Sequence, residues 1–221
     1  MLARPLALTG FLPAWDLERR RCDVAELVEW TRARLGLPAG QDLSELRFDP
    51  DTAMRQTRML TRASADPAFR ATFHALLRAV LPELPWSRVW VQTYVHFRIL
   101  VPDDERAVVR SHTDYGFAHG LDERNVWIAL TPATGAAALH VLPFRESMEL
   151  VAQSEPTAAI YDVNDLHPID ADVGDVVLFT PLHVHGARPP IDRTRVSVDV
   201  RLIPARASRP DLSFAPLRAA S

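Results

Sequence analysis

The sequence predicts a mainly β protein, a β-sandwich or jelly-roll barrel braced by helices at its N-terminal end. Three observations carry this expectation. Apolar residues recur at helical spacing as far as about residue 82, the period changes to two after Pro85, and short alternating runs separated by turn clusters follow. The 221 residues suit one domain of ordinary size. Helical support is expected over about 1–85, a β core over about 86–205, and a weakly patterned tail over 206–221.

The elements follow in order. In CDVAELVEWTRARLG, Val24, Leu27, Val28 and Leu35 fall near helical spacing and Gly36 is a stop signal. A second helix is expected over 51–62. A third starts at Asp66-Pro67, a cap followed by a first-turn proline, and carries Phe69, Phe73, Leu76, Leu77 and Val80 until Pro82 and Pro85 end it. WSRVWVQTYVHFRIL alternates and is rich in β-branched and aromatic residues, so one long strand is expected. Further strands are expected over 125–130, 139–142, 157–161, 175–179 and 194–203. Thr134-Gly135, Asn164-Asp165, Gly174-Asp175 and Pro189-Pro190 mark the turns between them.

Composition excludes several function classes. Hydrophobic residues make up 48%, enough for a sizeable core, and the net charge of −3 leaves no basic surface for nucleic acid or an anionic membrane. All 25 basic residues are arginine, so any clamped carboxylate must be held by Arg, His or hydroxyl groups. Cys22 is the only cysteine, which excludes an intrachain disulfide and a cysteine-based zinc site. The N-terminal apolar run, broken by Arg4, Pro5 and Pro13, makes a poor signal peptide. A cytoplasmic protein whose partner is a small molecule is expected.

The chemistry starts at SHTDYG. His112 and Asp114 are two residues apart, so on an extended segment both point to one face and place an imidazole beside a carboxylate. GDVVLFTPLHVHGARPP then brings His183 and His185 to the end of an apolar strand, before Gly186, where strand alternation puts both on one face. Alone, an HxD or a strand-end histidine is usually structural; the combination is what shifts the balance. In DRTRVSVDVRL, Arg195, Ser197, Asp199 and Arg201 share one face, with Val196, Val198 and Val200 on the other. Burying such a polar row without partners is costly, so it faces either solvent or a polar pocket. A single hairpin turn separates His185 from Arg195, which is therefore expected on the strand next to that of His185.

Two histidines and one carboxylate with open positions make the facial triad of non-haem Fe(II) oxygenases. Three protein ligands leave three sites free, two for a chelating 2-oxoacid and one for O2. The far carboxylate of 2-oxoglutarate then needs a buried cation, for which Arg195 offers a planar fork and Ser197 a hydroxyl. Of the two histidines, His185 is the expected ligand, because it precedes Gly186 and lies ten residues before Arg195.

These residues resemble the 2-oxoglutarate/Fe(II) dioxygenase superfamily, with the RVS triplet similar to its co-substrate clamp. NVWIALTPATGAAALHVLPFRES is similar to the phytanoyl-CoA dioxygenase-like branch. VQTYVHFRIL, HTDYGFAHG, NVWIALTP and TRVSVDVRL together look most like its subgroup from antibiotic and carbohydrate gene clusters, including the streptomycin-pathway family. The resemblance covers about residues 88–203. It implies a double-stranded β-helix with His112 and Asp114 at the mouth, His185 on the seventh core strand and Arg195 on the eighth. It also implies conversion of 2-oxoglutarate and O2 to succinate, CO2 and an oxidised product at Fe(II). Phe144-Arg145-Glu146-Ser147 departs from the family's "GSH" ending, so substrate contacts there do not carry over.

Secondary candidates surround this set. Gln92, Tyr94, His96 and Arg98 alternate on the long strand; Gln92 is a candidate for the co-substrate and Arg98 for the substrate. Tyr115 and His119 could sit over the substrate, as could His183. Arg201 is a candidate for a substrate carboxylate or hydroxyl, and Trp127 reads as core. The leading function is hydroxylation of a small polar metabolite, such as an amino acid, aminocyclitol or sugar. A cupin-like metal enzyme without 2-oxoglutarate, which would not need Arg195, and a non-catalytic metabolite-binding jelly roll stand as alternatives. Asp114 speaks against a halogenase, since its carboxylate fills the position a halide would need.

Overall fold

A computed structural model describes residues 17–82, 89–117, 119–154, 160–163, 165–204 and 214–216. Three helices follow a first short strand and precede all the others: α1 (Ala25–Leu35), α2 (Pro50–Ala63) and α3 (Pro67–Val80). Their ends follow from local chemistry. Asp49 and Asp66 accept from backbone N–H groups of the first turns of α2 and α3, each with proline just inside the helix. Gly36 closes α1 at φ 69°, in the left-handed region.

The strands are β1 (Glu18–Arg21), β2 (Val89–Gln92), β3 (His96–Leu100), β4 (Val109–His112), β5 (Arg124–Ala129), β6 (Leu139–Val141), β7 (His167–Ile169), β8 (Asp175–Phe179), β9 (His185–Ala187), β10 (Arg195–Pro204) and β11 (Phe214–Pro216). They form two sheets. The larger runs β1-β8-β5-β10-β2-β11, with β3 also paired to β10, and the smaller runs β4-β9-β6-β7. Trp127, Ala129, Val177 and Phe179 of the large sheet meet Leu139 and Val141 of the small one, so the sheets face each other around a shared interior. This is the jelly-roll arrangement the sequence predicts.

The outer face of the large sheet is apolar. Val196, Val198, Val200, Leu202, Val126, Ile128, Val176 and Leu178 pack with Leu27, Leu60, Phe69, Phe73 and Leu77 of the helices into the main core. Burial of each Val or Leu side chain contributes about 1.5–3 kcal/mol. Helix α2 also guards a sheet edge: Ile99, Phe97 and Val95 donate their N–H groups to the hydroxyls of Thr57, Thr61 and Ser64. Those hydroxyls lie along one stripe of the helix, and they stop the free side of β3 from pairing with another chain.

The structure corrects several expectations. The long strand is two, β2 and β3, both on the same side of β10. Four residues, Gln92 to Val95, span the stretch opposite Val200 and Arg201, so the register slips by two. Strand β9 pairs with β4 and β6, not with β10, so Arg195 is not on the strand next to that of His185. The turn between them crosses from the small sheet to the large one. The segment that departs from the family pattern is a helix, α4 (Phe144–Gln153). In the expected tail, Phe214–Pro216 forms β11 on β2. Of the strand expected over 157–161, residues 157–159 lie outside the described residues, and Ile160 makes an isolated bridge to His112. Among the described residues no helix is long and apolar enough to cross a membrane.

Candidate metal and co-substrate site

The interior opens at one end into a cleft lined by His112, Asp114, His185, Arg195, Arg98 and Arg201. His112 stands at the end of β4 and Asp114 just beyond it; His185 starts β9, paired in register with His112. Gly186 allows that pairing to be close, since a Cβ there would lie 2.7 Å from the carbonyl oxygen of Val109. One ligand atom each from His112, Asp114 and His185 lies within 4.8 Å of the other two, the one such group among the described residues.

The two imidazoles are held in the tautomer a metal needs. His112 Nδ1 donates to the Arg110 carbonyl and His185 Nδ1 to the His183 carbonyl, both at 2.9 Å. That leaves each Nε2 with a lone pair. Burial pushes His185 down to about 4, so it is neutral near pH 7. Burial alone would raise the Asp114 carboxyl. Arg201, with hydrogen bonds from Arg201 and Asn125, outweighs that and holds it well below the usual carboxylate range. His185 adds to this only when protonated.

Deeper in the cleft lies Arg195, 1% exposed. Its Nη1 donates to the carbonyls of Ala137 and Ala138 at 3.1 Å, and its guanidinium carbon stands 5.9 Å from the Trp127 ring centre. Among the described residues no carboxylate lies within 4.0 Å of it. Burial, reinforced by Arg98, pushes it down to about 9. Four buried polar atoms on this face of β10 and β5 have no partner among the described residues: Arg195 Nε, Ser197 Oγ, Trp127 Nε1 and Asn125 Oδ1. Buried polar groups are almost always satisfied, so such a cluster marks a site built for a polar ligand.

Other sequence candidates divide. Arg98, Asp199 and Arg201 line the cleft. Arg98 Nε donates to Asp199 at 2.7 Å, and Arg201 pairs with Asp114 at 3.0 Å. Gln92 lies outside the cleft lining; it accepts from the Arg201 N–H and meets His96 across 2.9 Å. His183 is fully buried, accepts from the Thr180 N–H at Nδ1, and packs on Phe144 and Phe179. It lies in a turn, so the common face with His185 expected from strand alternation does not form. Tyr115 is half-buried in a single helical turn after Asp114, with the exposed Phe117 at 5.7 Å from the His112 ring. His119 is tied to buried Glu123 at 2.8 Å, away from the cleft lining. Sequence reasoning missed Asn125, whose Nδ2 donates to Asp114 at 2.7 Å, and gave Trp127 only a core role. The signal for Asn125 was a polar residue opening an otherwise apolar strand, on the face shared with Trp127.

No family model matches this sequence, and no curated protein matches it. Solved structures do match. EvdO2 from Micromonospora carbonacea var. aurantiaca, complexed with 2-oxoglutarate, is 17% identical and aligns over 88% of this chain and 89% of its own, with a TM-score of 0.53. The non-haem α-ketoglutarate-dependent epimerase SnoN from nogalamycin biosynthesis, in complex with Fe3+, α-ketoglutarate and nogalamycin RO, is 14% identical over 91% and 88%, with a TM-score of 0.52. This chain shares the fold of these two proteins. AviO1 from Streptomyces viridochromogenes Tue57 agrees, at 17% identity over 88% and 92% with a TM-score of 0.52. Against EvdMO1, at 24% identity and a TM-score of 0.44, 65% of this chain aligns and spans about a third, 32%, of that chain.

Proposed function

We propose that this protein is an Fe(II)- and 2-oxoglutarate-dependent oxygenase that oxidises, most simply hydroxylates, a small polar metabolite. The observation that carries this reading is Arg195, a buried guanidinium with no carboxylate partner among the described residues, set in the same cleft as His112, Asp114 and His185. A metal enzyme that used no 2-oxoacid would not need it. EvdO2 and SnoN, which share the fold, were each crystallised with this co-substrate.

The donor set fits. His112 and His185 would hold the metal through Nε2 and Asp114 through one carboxylate oxygen, a mix of imidazole and carboxylate suited to Fe(II). Arg195 Nε and Ser197 Oγ would meet the distal carboxylate of 2-oxoglutarate, and Trp127 walls that end. The bound iron and 2-oxoglutarate supply activation of O2. Asp199 holds Arg98 by its Nε, leaving the outer edge of that guanidinium toward the cleft for a polar substituent of the substrate. Phe117, against the His112 ring, borders the metal end and would cover a substrate there; Tyr115 shares its helical turn.

The test is anaerobic titration of the Fe(II) protein with 2-oxoglutarate, followed by a screen for succinate release against amino acids, aminocyclitols and sugars. A visible charge-transfer band with succinate formed on air supports the proposal. A protein that binds iron yet gives neither band nor succinate with any of them overturns it, and a cupin-like metal enzyme becomes the better account.

A further inference from the structure

Asp114 is gripped by two side chains that are not metal-ligand candidates. Asn125 Nδ2 donates to its Oδ2 at 2.7 Å. Arg201 reaches the same oxygen from Nε at 3.3 Å and the other, Oδ1, from Nη2 at 3.0 Å. Oδ2 therefore carries two donors and Oδ1 one. Oδ1 is also the oxygen on the histidine side, 3.7 Å from His112 Nε2. A carboxylate oxygen has two lone pairs, so Oδ1 keeps one for a metal while Oδ2 has both engaged.

The grip is set by the sheet and not by a chance rotamer. Asn125 on β5 and Arg201 on β10 are directly opposed in register, and both point inward. On its other side the Arg201 N–H donates to Gln92 Oε1, within the stretch where β2 gives way to β3. Asp114 lies on a separate sheet's connection, 4% exposed in its side chain. The one carboxylate of the triad is thus anchored to the opposite sheet through Arg201 and Asn125.

We infer that Arg201 and Asn125 are positioning residues for the metal carboxylate: they hold Oδ2 so that Asp114 can bind only through Oδ1. One-point binding keeps a coordination site open that a two-point carboxylate would close. It also reassigns Arg201 from the substrate contact that the sequence suggests to a partner of the metal ligand. This inference rests on the metal site of the proposed function and adds the geometry that governs it.

Cobalt(II), stable in air, is the probe. Its affinity is measured by competition with a chromophoric chelator and its coordination by the d–d spectrum, without turnover. Partners of metal ligands usually contribute 10–100-fold to metal affinity. Asn125→Ala and Arg201→Ala are each expected to weaken cobalt binding by about that factor and to alter the spectrum. Arg201→Lys, which keeps the charge but not the fork, should recover only part. Should Arg201→Ala fail to fold, Asn125→Ala and Arg201→Lys carry the test. Wild-type affinity and an unchanged spectrum in those two variants overturn the inference while leaving the metal site intact. A wild-type protein that binds no cobalt overturns the metal site itself, and this inference with it.

Discussion

Val196, Val198, Val200 and Leu202 on one face of β10, and Arg195, Ser197, Asp199 and Arg201 on the other, are both largely cut off from water. Their surroundings differ completely. The apolar face meets the helices and belongs to the main core. The polar face pairs Asp199 with Arg98 and Arg201 with Asp114, yet leaves Arg195 Nε and Ser197 Oγ without partners among the described residues. A chain selected only for stability would not bury those two groups unpaired, because each such group costs about 1–3 kcal/mol. One strand therefore serves two ends: its outer face stabilises the fold, and its inner face gives up stability to keep a ligand site.

Breaking the inner face should abolish function and spare the fold. Alanine at His112, Asp114 or His185 is expected to remove nearly all turnover, with the circular dichroism spectrum unchanged and bound iron lost by metal analysis. Next in size is Arg195→Ala. Removing one partner of a buried charge pair costs about 2–5 kcal/mol, which is roughly 30- to several-thousand-fold in 2-oxoglutarate affinity. Anaerobic titration of the charge-transfer band measures this, and iron binding should survive. Arg195→Lys should restore only part, as an ammonium lacks the fork.

Acid should sharpen the comparison, since a strongly suppressed histidine belongs to each region, His74 to the helices and His185 to the cleft, while His96 and His140 are lowered as well. Burial pushes both His74 on α3 and His185 in the cleft down to about 4. The unfolded chain takes up its protons near 6.5 while the folded chain stays neutral, so each histidine costs the metal-free protein stability as pH falls from about 6.5 to 4, with no further loss below that. Melting curves of metal-free protein across this range should show the decline, and His74→Gln should reduce its slope. An unchanged slope would mean that the helix-side histidine is not suppressed.

The smallest effect belongs to the outer face. Val198→Ala removes two buried carbons at about 0.8 kcal/mol each, with a cavity penalty besides, for a total of about 2 kcal/mol. The midpoint of thermal unfolding should fall by roughly 4–8 °C, with 2-oxoglutarate affinity within about twofold of wild type. A large loss of affinity here would show that the two faces are not independent.

What could be read along the chain was whatever depends on near neighbours. The Asp66-Pro67 cap, the Gly36 stop and the alternation on β10 are local, so α3, the end of α1 and the division of β10 into two faces stood out. His112 and Asp114 stood out because a spacing of two places both on one side of an extended chain. Helix α4 was not legible: Phe144, Met148 and Val151 do recur at helical spacing, but the ten residues are short and directly follow a strand pattern.

Tertiary structure alone decided how the pieces close. The strand of His185 and the strand of Arg195 lie in opposite sheets, because sheet pairing follows long-range closure of the barrel and not the length of the turn between them. The two-residue slip between β2 and β3 is a matter of register against β10, which neither segment encodes by itself. Arg201 turned to Asp114, and Asn125 joined it, because a long flexible side chain takes whichever buried carboxylate the fold brings within reach. The sequence determined by itself which residue types would share a face. Which of them would meet across the cleft was decided by the packing of the two sheets, where each buried charge had to find its partner in three dimensions.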